Sequence, residues 1–180
     1  MNKKIIIGLT GEMGSGKDTF CNLVKENYEN VFVFRFSDPL TEILKMFFDD
    51  VKREDQQWLG PLLKQKFGAD VLLKALIRKA KNIKQGIIIF NGIRAEGEAK
   101  SVKEIQGKII YITAESKKRW ERVCKRKEKA DDDVSYENFL KMHEAETEIP
   151  IPKIGEQAEV KIENNGTKQD FYNKIKKVLA

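Results

Sequence analysis

Residues 5–20, IIIGLTGEMGSGKDTF, constrain the fold more than any other stretch, because an apolar run passes through a glycine-rich loop into a helical pattern. The loop contains Gly11, Gly16 and Lys17 with the spacing G-x-x-x-x-G-K. Glycines let the backbone wrap closely, so that several N–H groups of the loop and of the helix start can converge on a phosphate. The lysine adds a positive charge for the outer phosphates of a nucleotide. The stretch therefore predicts a strand, a phosphate-binding loop and a helix, in that order.

The residue after Lys17 is Asp18, whereas P-loop NTPases have Ser or Thr there to hold Mg²⁺. Thr19 comes one position later and faces a different direction on the helix. Asp18 is either part of a metal site or a favourable negative charge in the first turn of a helix. The residues of the loop predicted to bind nucleotide are Gly11, Met13, Gly14, Ser15, Gly16, Lys17, Asp18 and Thr19.

Apolar runs and helical patterns alternate along the 180 residues, a length that favours one domain with a sizeable core. Strands are predicted at 4–9, 31–36, 86–92, 108–113 and 158–164. Helices are predicted at 17–28, 38–48, 95–105, 115–129, 136–148 and 167–179, together with a helical region at 53–82 that is interrupted at Gly60-Pro61 and at Gly68. Strands separated by helices predict an α/β fold with a five-stranded parallel sheet and helices on both faces.

The composition favours a soluble protein that binds anions. The net charge is +6, which suits nucleotides, leaves nucleic acid as a possible but not favoured partner, and also fits a lysine-rich solvated surface. Cys21 and Cys124 do not form a disulfide framework, and we interpret them as buried free thiols in a reducing, cytoplasmic setting. No stretch approaches the length of a membrane span, so no membrane association is expected.

The third predicted strand ends in the segment NGIR, residues 91–94. Because ligands of parallel sheets gather at the carboxyl ends of the strands, Asn91 is expected beside the phosphate-binding loop. Arg94 follows, and its planar guanidinium suits a pair of anionic oxygens. The alternative for Arg94 is a surface salt bridge with Glu96 or Glu98.

One predicted helix carries a group of arginines, although arginine is scarce in this chain. Arg122 and Arg126 are four residues apart and therefore share a helix face, with Arg119 one turn earlier. The alternative is a solvated basic face. The only histidine, His143, is expected at a solvated position on the next helix.

Together these features resemble the P-loop kinases of small molecules, namely nucleoside monophosphate kinases and dephospho-CoA kinase, including adenylate-kinase-related proteins of undetermined substrate. The segments that carry the resemblance are GEMGSGKDT, NGIR, ERVCKR and IENNGTKQDF. The resemblance implies the three-layer P-loop NTPase fold in one domain spanning residues 1–180. It also implies a helical acceptor lobe at about 39–82 and a short lid at about 119–134.

The resemblance also implies roles for individual residues. Lys17, Arg122 and Arg126 would stabilise the transferring phosphoryl group, and Arg122, Gly166 and Thr167 would contact the nucleotide. Asp18 and Asn91 would hold Mg²⁺ through water, although Asn91 stands where these kinases usually have Asp. The residues expected on the acceptor side are Arg35, Ser37, Asp38, Arg53 and Arg94.

The expected activity is transfer of a phosphoryl group from ATP, with Mg²⁺, to a nucleoside or deoxynucleoside monophosphate. One alternative is phosphorylation of a sugar hydroxyl, as in dephospho-CoA kinase, with Asp38 as the catalytic base. Another alternative is a nucleotide-gated binding protein or slow ATPase.

Overall fold

A computed structural model describes residues 3–126, 134–145 and 148–179, without the side chains of Arg53 and Arg126. Its centre is a five-stranded sheet with the strand order β2-β3-β1-β4-β5, in which every pairing is parallel. The strands are β1 (Lys4–Thr10), β2 (Val31–Arg35), β3 (Gly86–Asn91), β4 (Lys108–Thr113) and β5 (Val160–Glu163). The predicted α/β fold with a five-stranded parallel sheet is therefore confirmed.

Helices connect consecutive strands and cover both faces of the sheet. They are α1 (Lys17–Asn27), α2 (Asp38–Lys45), α3 (Arg53–Phe67), α4 (Val71–Ala80), α5 (Glu96–Glu104), α6 (Ser116–Arg126), α7 (Tyr136–Lys141), α8 (Pro150–Glu156) and α9 (Lys168–Leu179). No helix in the described part of the chain is long and apolar enough to cross a membrane.

The core has two halves because successive side chains of a strand point to opposite faces of the sheet. Ile87 and Ile89 of β3 belong to a cluster with residues of α1 and α9, whereas Ile88 and Phe90 belong to a cluster with residues of α4, α5 and α8. All four side chains have no exposed surface. Burial of each such side chain stabilises the folded state by about 1.5–3 kcal/mol. Because β3 is buried on both faces, its sequence is a continuous apolar run, and this run predicted the strand.

The register of the sheet brings the ends of three strands to the same level. Asn91 of β3 is paired with Leu9 of β1 and with Arg35 of β2. Leu9 lies two residues before Gly11, so the carboxyl ends of β2 and β3 lie beside the start of the glycine-rich loop. The sheet thereby places Asn91 and Arg35 next to the predicted phosphate site.

The predicted interruption at Gly60-Pro61 is wrong, because α3 continues through both residues. Pro61 has no N–H and removes one hydrogen bond from the helix, but packing against α2 stabilises α3 at this point. A Cβ on Gly60 would lie 3.4 Å from Leu40, and Gln56 donates a hydrogen bond to the hydroxyl of Thr41 over 2.8 Å. The break at Gly68 is confirmed, since α3 ends at Phe67.

The predicted helix over 136–148 is also wrong in its second half. Helix α7 ends at Lys141 and is followed by a 3₁₀ turn at Met142–Glu144. Helix α8 was not predicted, although Pro150 is well suited to the first turn of a helix. It forms because Ile151 and Ile154 are buried and the face of α8 at Gly155 packs against the ring of Tyr111. Residues 127–129, which were predicted as the end of α6, lie outside the described residues.

Candidate functional site

The glycine-rich loop lies between β1 and α1 and packs against two other parts of the chain. Gly14 has φ +76°, and a Cβ there would lie 2.4 Å from the carbonyl oxygen of Arg119. Gly16 has φ +108°, and a Cβ there would lie 2.4 Å from the side-chain nitrogen of Asn164. Since Asn164 also donates to the carbonyl of Ser15 over 2.9 Å, the loop is held in shape from both sides.

The side chain of Lys17 folds back over the loop. Its ammonium donates to the carbonyl oxygens of Gly11 and Glu12, the latter over 3.0 Å. Burial, and after it the positive charge of Arg94, lower the pKa of Lys17 from 10.5 to about 8, although the negative charges of Glu148 and Asp18 oppose this shift. The ammonium is therefore a poorly hydrated cation, which interacts strongly with an anion such as phosphate.

Asp18 and Asn91, the two residues predicted to hold a metal, lie in direct contact. The Asn91 side-chain amide donates to Asp18 Oδ1 over 2.9 Å, and Arg35 lies 3.6 Å from the same oxygen. The other polar atom of Asn91, Oδ1, is buried and has no hydrogen-bond partner among the described residues. Carboxylate and amide oxygens are the ligands that Mg²⁺ prefers, usually together with waters and substrate phosphates, so the residues present fit this ion.

Buried polar side-chain atoms without a partner among the described residues concentrate at this site. Such atoms are rare in folded proteins and call for an explanation. They belong to the loop itself, to Asn91, or to residues that pair with parts of the site. The atoms are Glu12 Oε2, Ser15 Oγ, Asn91 Oδ1, Arg122 Nη1 and Glu148 Oε2. Their concentration supports a polar ligand as the partner that this site is built to take.

Arg94 forms an ion pair, but not with either of the partners considered from the sequence. Its guanidinium pairs with Glu148, which is 7% exposed. Glu98 instead accepts the backbone N–H of Arg94 over 2.8 Å, and Glu96 pairs with Lys153. Glu148 was not predicted as a site residue, and its position within a supposed helix gave no signal of this role.

The arginines of α6 differ in their surroundings. Arg119 is buried and donates to the carbonyl oxygens of Ala114 and Met13 over 3.0 and 3.3 Å, and its guanidinium also contacts His143 Nε2. His143 therefore packs against the arginine that supports the loop, and its ring lies edge-on against Phe139. Its side chain is only partly exposed, and not fully solvated as predicted.

Arg122 lies on the side of the loop where the chain leaves β5. Its Nη2 donates to the carbonyl oxygen of Asn164 over 2.7 Å, and burial lowers the pKa of Arg122. The side chain of Arg126 lies outside the described residues. Gly166 and Thr167 follow Asn164, and Thr167 shares hydrogen bonds with Asp170 at the start of α9. Asn164 could have been found from the sequence by the rule that identified Asn91, because it too is a polar residue at the end of a strand.

The residues predicted for the acceptor side at the end of β2 form a local turn. Asp38 Oδ2 accepts the backbone N–H of Arg35 over 2.7 Å, and the carbonyl of Ser37 accepts from Thr41 as α2 begins. One carboxylate oxygen of Asp38 is thus occupied in holding the turn. The side chain of Arg53 lies outside the described residues.

Glu12 is a second carboxylate of the loop that was not singled out from the sequence. Its Oε1 accepts a hydrogen bond from the Tyr111 hydroxyl over 2.5 Å. Burial and this hydrogen bond raise the pKa of Tyr111 to about 12, so the phenol stays protonated and anchors the loop to β4. Cys21 is buried, as expected, whereas Cys124 is only partly buried.

A family model described as AAA domain matches residues 7–147. Among curated proteins, a UPF0200 protein of Sulfurisphaera tokodaii is 29% identical over 97% of this chain and 95% of its own length. A UPF0200 protein of Saccharolobus islandicus is 22% identical, with 96% and 91% of the two chains covered. Neither name states an activity.

Solved structures share the fold at low sequence identity. The crystal structure of TT1252 from Thermus thermophilus has a TM-score of 0.62 and 22% identity, with 98% of this chain and 97% of that chain covered. Shikimate kinase from Bacteroides thetaiotaomicron has a TM-score of 0.59 and 16% identity, with 97% and 95% covered. The architecture described above is therefore the fold of these two structures, one of which is a shikimate kinase.

Proposed function

This chain belongs to the AAA domain family, and we propose that it transfers the γ-phosphoryl group of ATP, with Mg²⁺, to a nucleoside or deoxynucleoside monophosphate. The observation that carries the proposal is the group formed by Lys17, Asp18 and Asn91 at the glycine-rich loop. It combines a desolvated cation for phosphate with oxygen ligands for a metal ion. Phosphoryl transfer needs such positioning and charge neutralisation more than covalent chemistry.

On the donor side, the backbone N–H groups of the loop and of the start of α1 would hold the phosphates of ATP. Lys17 would leave the carbonyl oxygens of Gly11 and Glu12 and pair with the β- and γ-phosphate oxygens instead. Asp18 and Asn91 would hold Mg²⁺ through water, and the ion would supply charge neutralisation between the phosphates. Arg122 lies where α6 meets the segment after β5, which supports contact with the nucleotide.

On the acceptor side, Arg94 follows β3 and Arg35 ends β2, so two cations lie at the same end of the sheet as the loop. A guanidinium can bind two oxygens of a phosphate at once. Asp38 is less suited to act as a base, since one of its oxygens holds the N–H of Arg35. A monophosphate acceptor is already ionised and needs no strong base, which favours it over a hydroxyl in this arrangement.

Phosphorylation of a sugar hydroxyl is the second candidate, and Glu148 is the residue that favours it. A buried carboxylate oxygen without a partner in the described part of the chain could accept the proton of a hydroxyl group. In that reaction Glu148, and not Asp38, would be the base.

An acceptor screen tests the proposal. ADP formation from ATP and Mg²⁺ is measured with each nucleoside and deoxynucleoside monophosphate and with unphosphorylated nucleosides. We expect one or a few monophosphates to be required for turnover, and Lys17→Ala to reduce that turnover by at least ~10²-fold. ADP release that is independent of every acceptor would identify a slow ATPase or a nucleotide-gated binding protein.

A further inference from the structure

Glu148 lies in the turn that leads into α8. Its backbone N–H donates to the carbonyl oxygen of Ala145 over 2.8 Å, and its own carbonyl oxygen accepts from Ile151 over 3.1 Å. These bonds fix the local turn, and from it the side chain reaches past the end of β3, where Oε1 pairs with the Arg94 guanidinium.

The carboxylate of Glu148 acts on the phosphate side of the site. Arg94 follows shortly after Asn91, and the Asn91 side-chain amide donates a hydrogen bond to Asp18, the residue after Lys17. The Arg94–Glu148 pair therefore lies just beyond the strand end that contacts the start of α1 and the glycine-rich loop. An acceptor phosphate that receives a phosphoryl group must lie in this same region, between the loop and Arg94.

The pairing satisfies only half of the Glu148 carboxylate. Oε1 contacts Arg94, while Oε2 is buried and finds no partner in the ranges that the structure describes. A buried charged oxygen without a hydrogen bond is costly. A phosphate presents more oxygens to a guanidinium than this carboxylate uses and can bind it in bidentate fashion. The contact is therefore one that a stronger anion can replace.

We propose that Glu148 determines acceptor specificity by occupying, on Arg94, the place of the acceptor's anionic group. An acceptor with a phosphate displaces the carboxylate and takes over Arg94, whereas a neutral acceptor leaves the pair intact. The carboxylate must withdraw, because two negative groups about 4 Å apart repel each other strongly at low dielectric. The inference rests on the proposed function and names the class of acceptor as one that carries an anionic group.

The test uses inorganic phosphate as the probe and the full chain saturated with ADP and Mg²⁺. Isothermal titration gives the phosphate affinity of the wild type and of Glu148→Gln, which keeps the shape of the side chain and removes its charge. We expect about tenfold tighter phosphate binding in Glu148→Gln and the same gain in Glu148→Ala. Glu96→Gln is the matched control: this exposed residue pairs with Lys153, and its loss of one negative charge should leave phosphate affinity unchanged.

A double variant, Arg94→Gln with Glu148→Gln, locates the effect. It should lose the gain, because the guanidinium for which Glu148 and phosphate compete is then absent. The proposal is overturned if the double variant keeps the gain, or if both Glu148 variants bind phosphate as the wild type does. It is also overturned if Glu148→Gln loses turnover by ~10²-fold with nucleotide affinity intact, since Glu148 would then be the base for a hydroxyl acceptor.

The two proposals fail in different ways. A tighter phosphate affinity in Glu148→Gln without turnover on any monophosphate would leave the anion site standing and remove the proposed reaction. Turnover on a monophosphate with unchanged phosphate affinity in the Glu148 variants would remove the inference alone.

Discussion

The Asn91 side-chain amide donates a hydrogen bond to Asp18 Oδ1 over 2.9 Å, which joins the end of β3 to the first turn of α1. Asn91 departs from the pattern of the kinases that the chain resembles, and Asp18 departs from the general pattern of P-loop NTPases. An amide stands at the strand end where a carboxylate is usual, and a carboxylate follows the lysine where a hydroxyl is usual. Because the two side chains touch, the carboxylate of Asp18 lies next to the strand end at which those kinases usually have a carboxylate.

Asp18→Asn should weaken the binding of Mg²⁺, so that more Mg²⁺ is needed for turnover. The variant removes the only charge of the Asp18–Asn91 pair, so the Mg²⁺ concentration needed for half-maximal turnover should rise about 10–100-fold. The measurement is a Mg²⁺ titration of turnover, or of ADP binding. The exchanged double variant, Asp18→Asn with Asn91→Asp, should recover most of the loss. A wild-type Mg²⁺ titration in Asp18→Asn would mean that Asp18 serves only as a charge in the first turn of α1.

Nucleotide affinity should fall as the pH rises above about 8. Burial lowers the pKa of Lys17 to about 8, so the unliganded protein loses the ammonium above that pH, while bound phosphates favour the charged form. ADP binding should therefore take up a proton near pH 8–9 and none near pH 6. Titrations in two buffers of different ionisation enthalpy measure this uptake. The same affinity at pH 6.5 and pH 9.5 would contradict the prediction.

Lys17→Met should stabilise the protein while abolishing tight nucleotide binding. Because the folded pKa of Lys17 lies below the ordinary value of 10.5, the cost of burying the ammonium is fully present below pH 8. It is relieved between about pH 8 and 10.5, where the unfolded chain binds more protons. Thermal unfolding at pH 7 should show a Tm at least about 2 °C above that of the wild type, and the difference should shrink by pH 10. A lower Tm at pH 7 would show that the contacts of Lys17 with Gly11 and Glu12 outweigh its desolvation.

Arg122→Ala should reduce kcat by about tenfold or more and leave the fold intact. The guanidinium uses Nη2 for the carbonyl oxygen of Asn164 and keeps a buried Nη1 for which the described residues provide no partner. Arg122→Lys should rescue little of this loss. An ammonium lacks the planar fork of a guanidinium, so it cannot contact the carbonyl oxygen of Asn164 and a ligand at the same time. Lys118→Ala is the matched control, because Lys118 is also on α6 and contacts the carbonyl of Asn165. Unchanged kcat with a lower Tm would make Arg122 a structural residue.

Local patterns were enough to predict the sheet and the phosphate-binding loop. The continuous apolar runs became β1, β3 and β4, and the alternating pattern near the end of the chain became β5. The glycine spacing before Lys17 predicted the close turn of the loop. The same reasoning failed at Gly60-Pro61, where packing against α2 keeps α3 continuous, and at 136–156, where the chain forms α7, a 3₁₀ turn and α8. In both places contacts with distant residues outweigh local propensity.

The sequence by itself determined the fold class, the loop and the polar residues at the strand ends, because these depend on periodicity and on neighbours along the chain. Only the tertiary structure decided which of these residues meet. Asn91 reaches Asp18 over 73 positions of sequence, and Glu148 reaches Arg94 over 54. Such pairs arise from the order of strands in the sheet and from the turn before α8. No local sequence pattern predicts these pairs, because the residues around a glutamate do not show whether it is solvated or paired with a guanidinium.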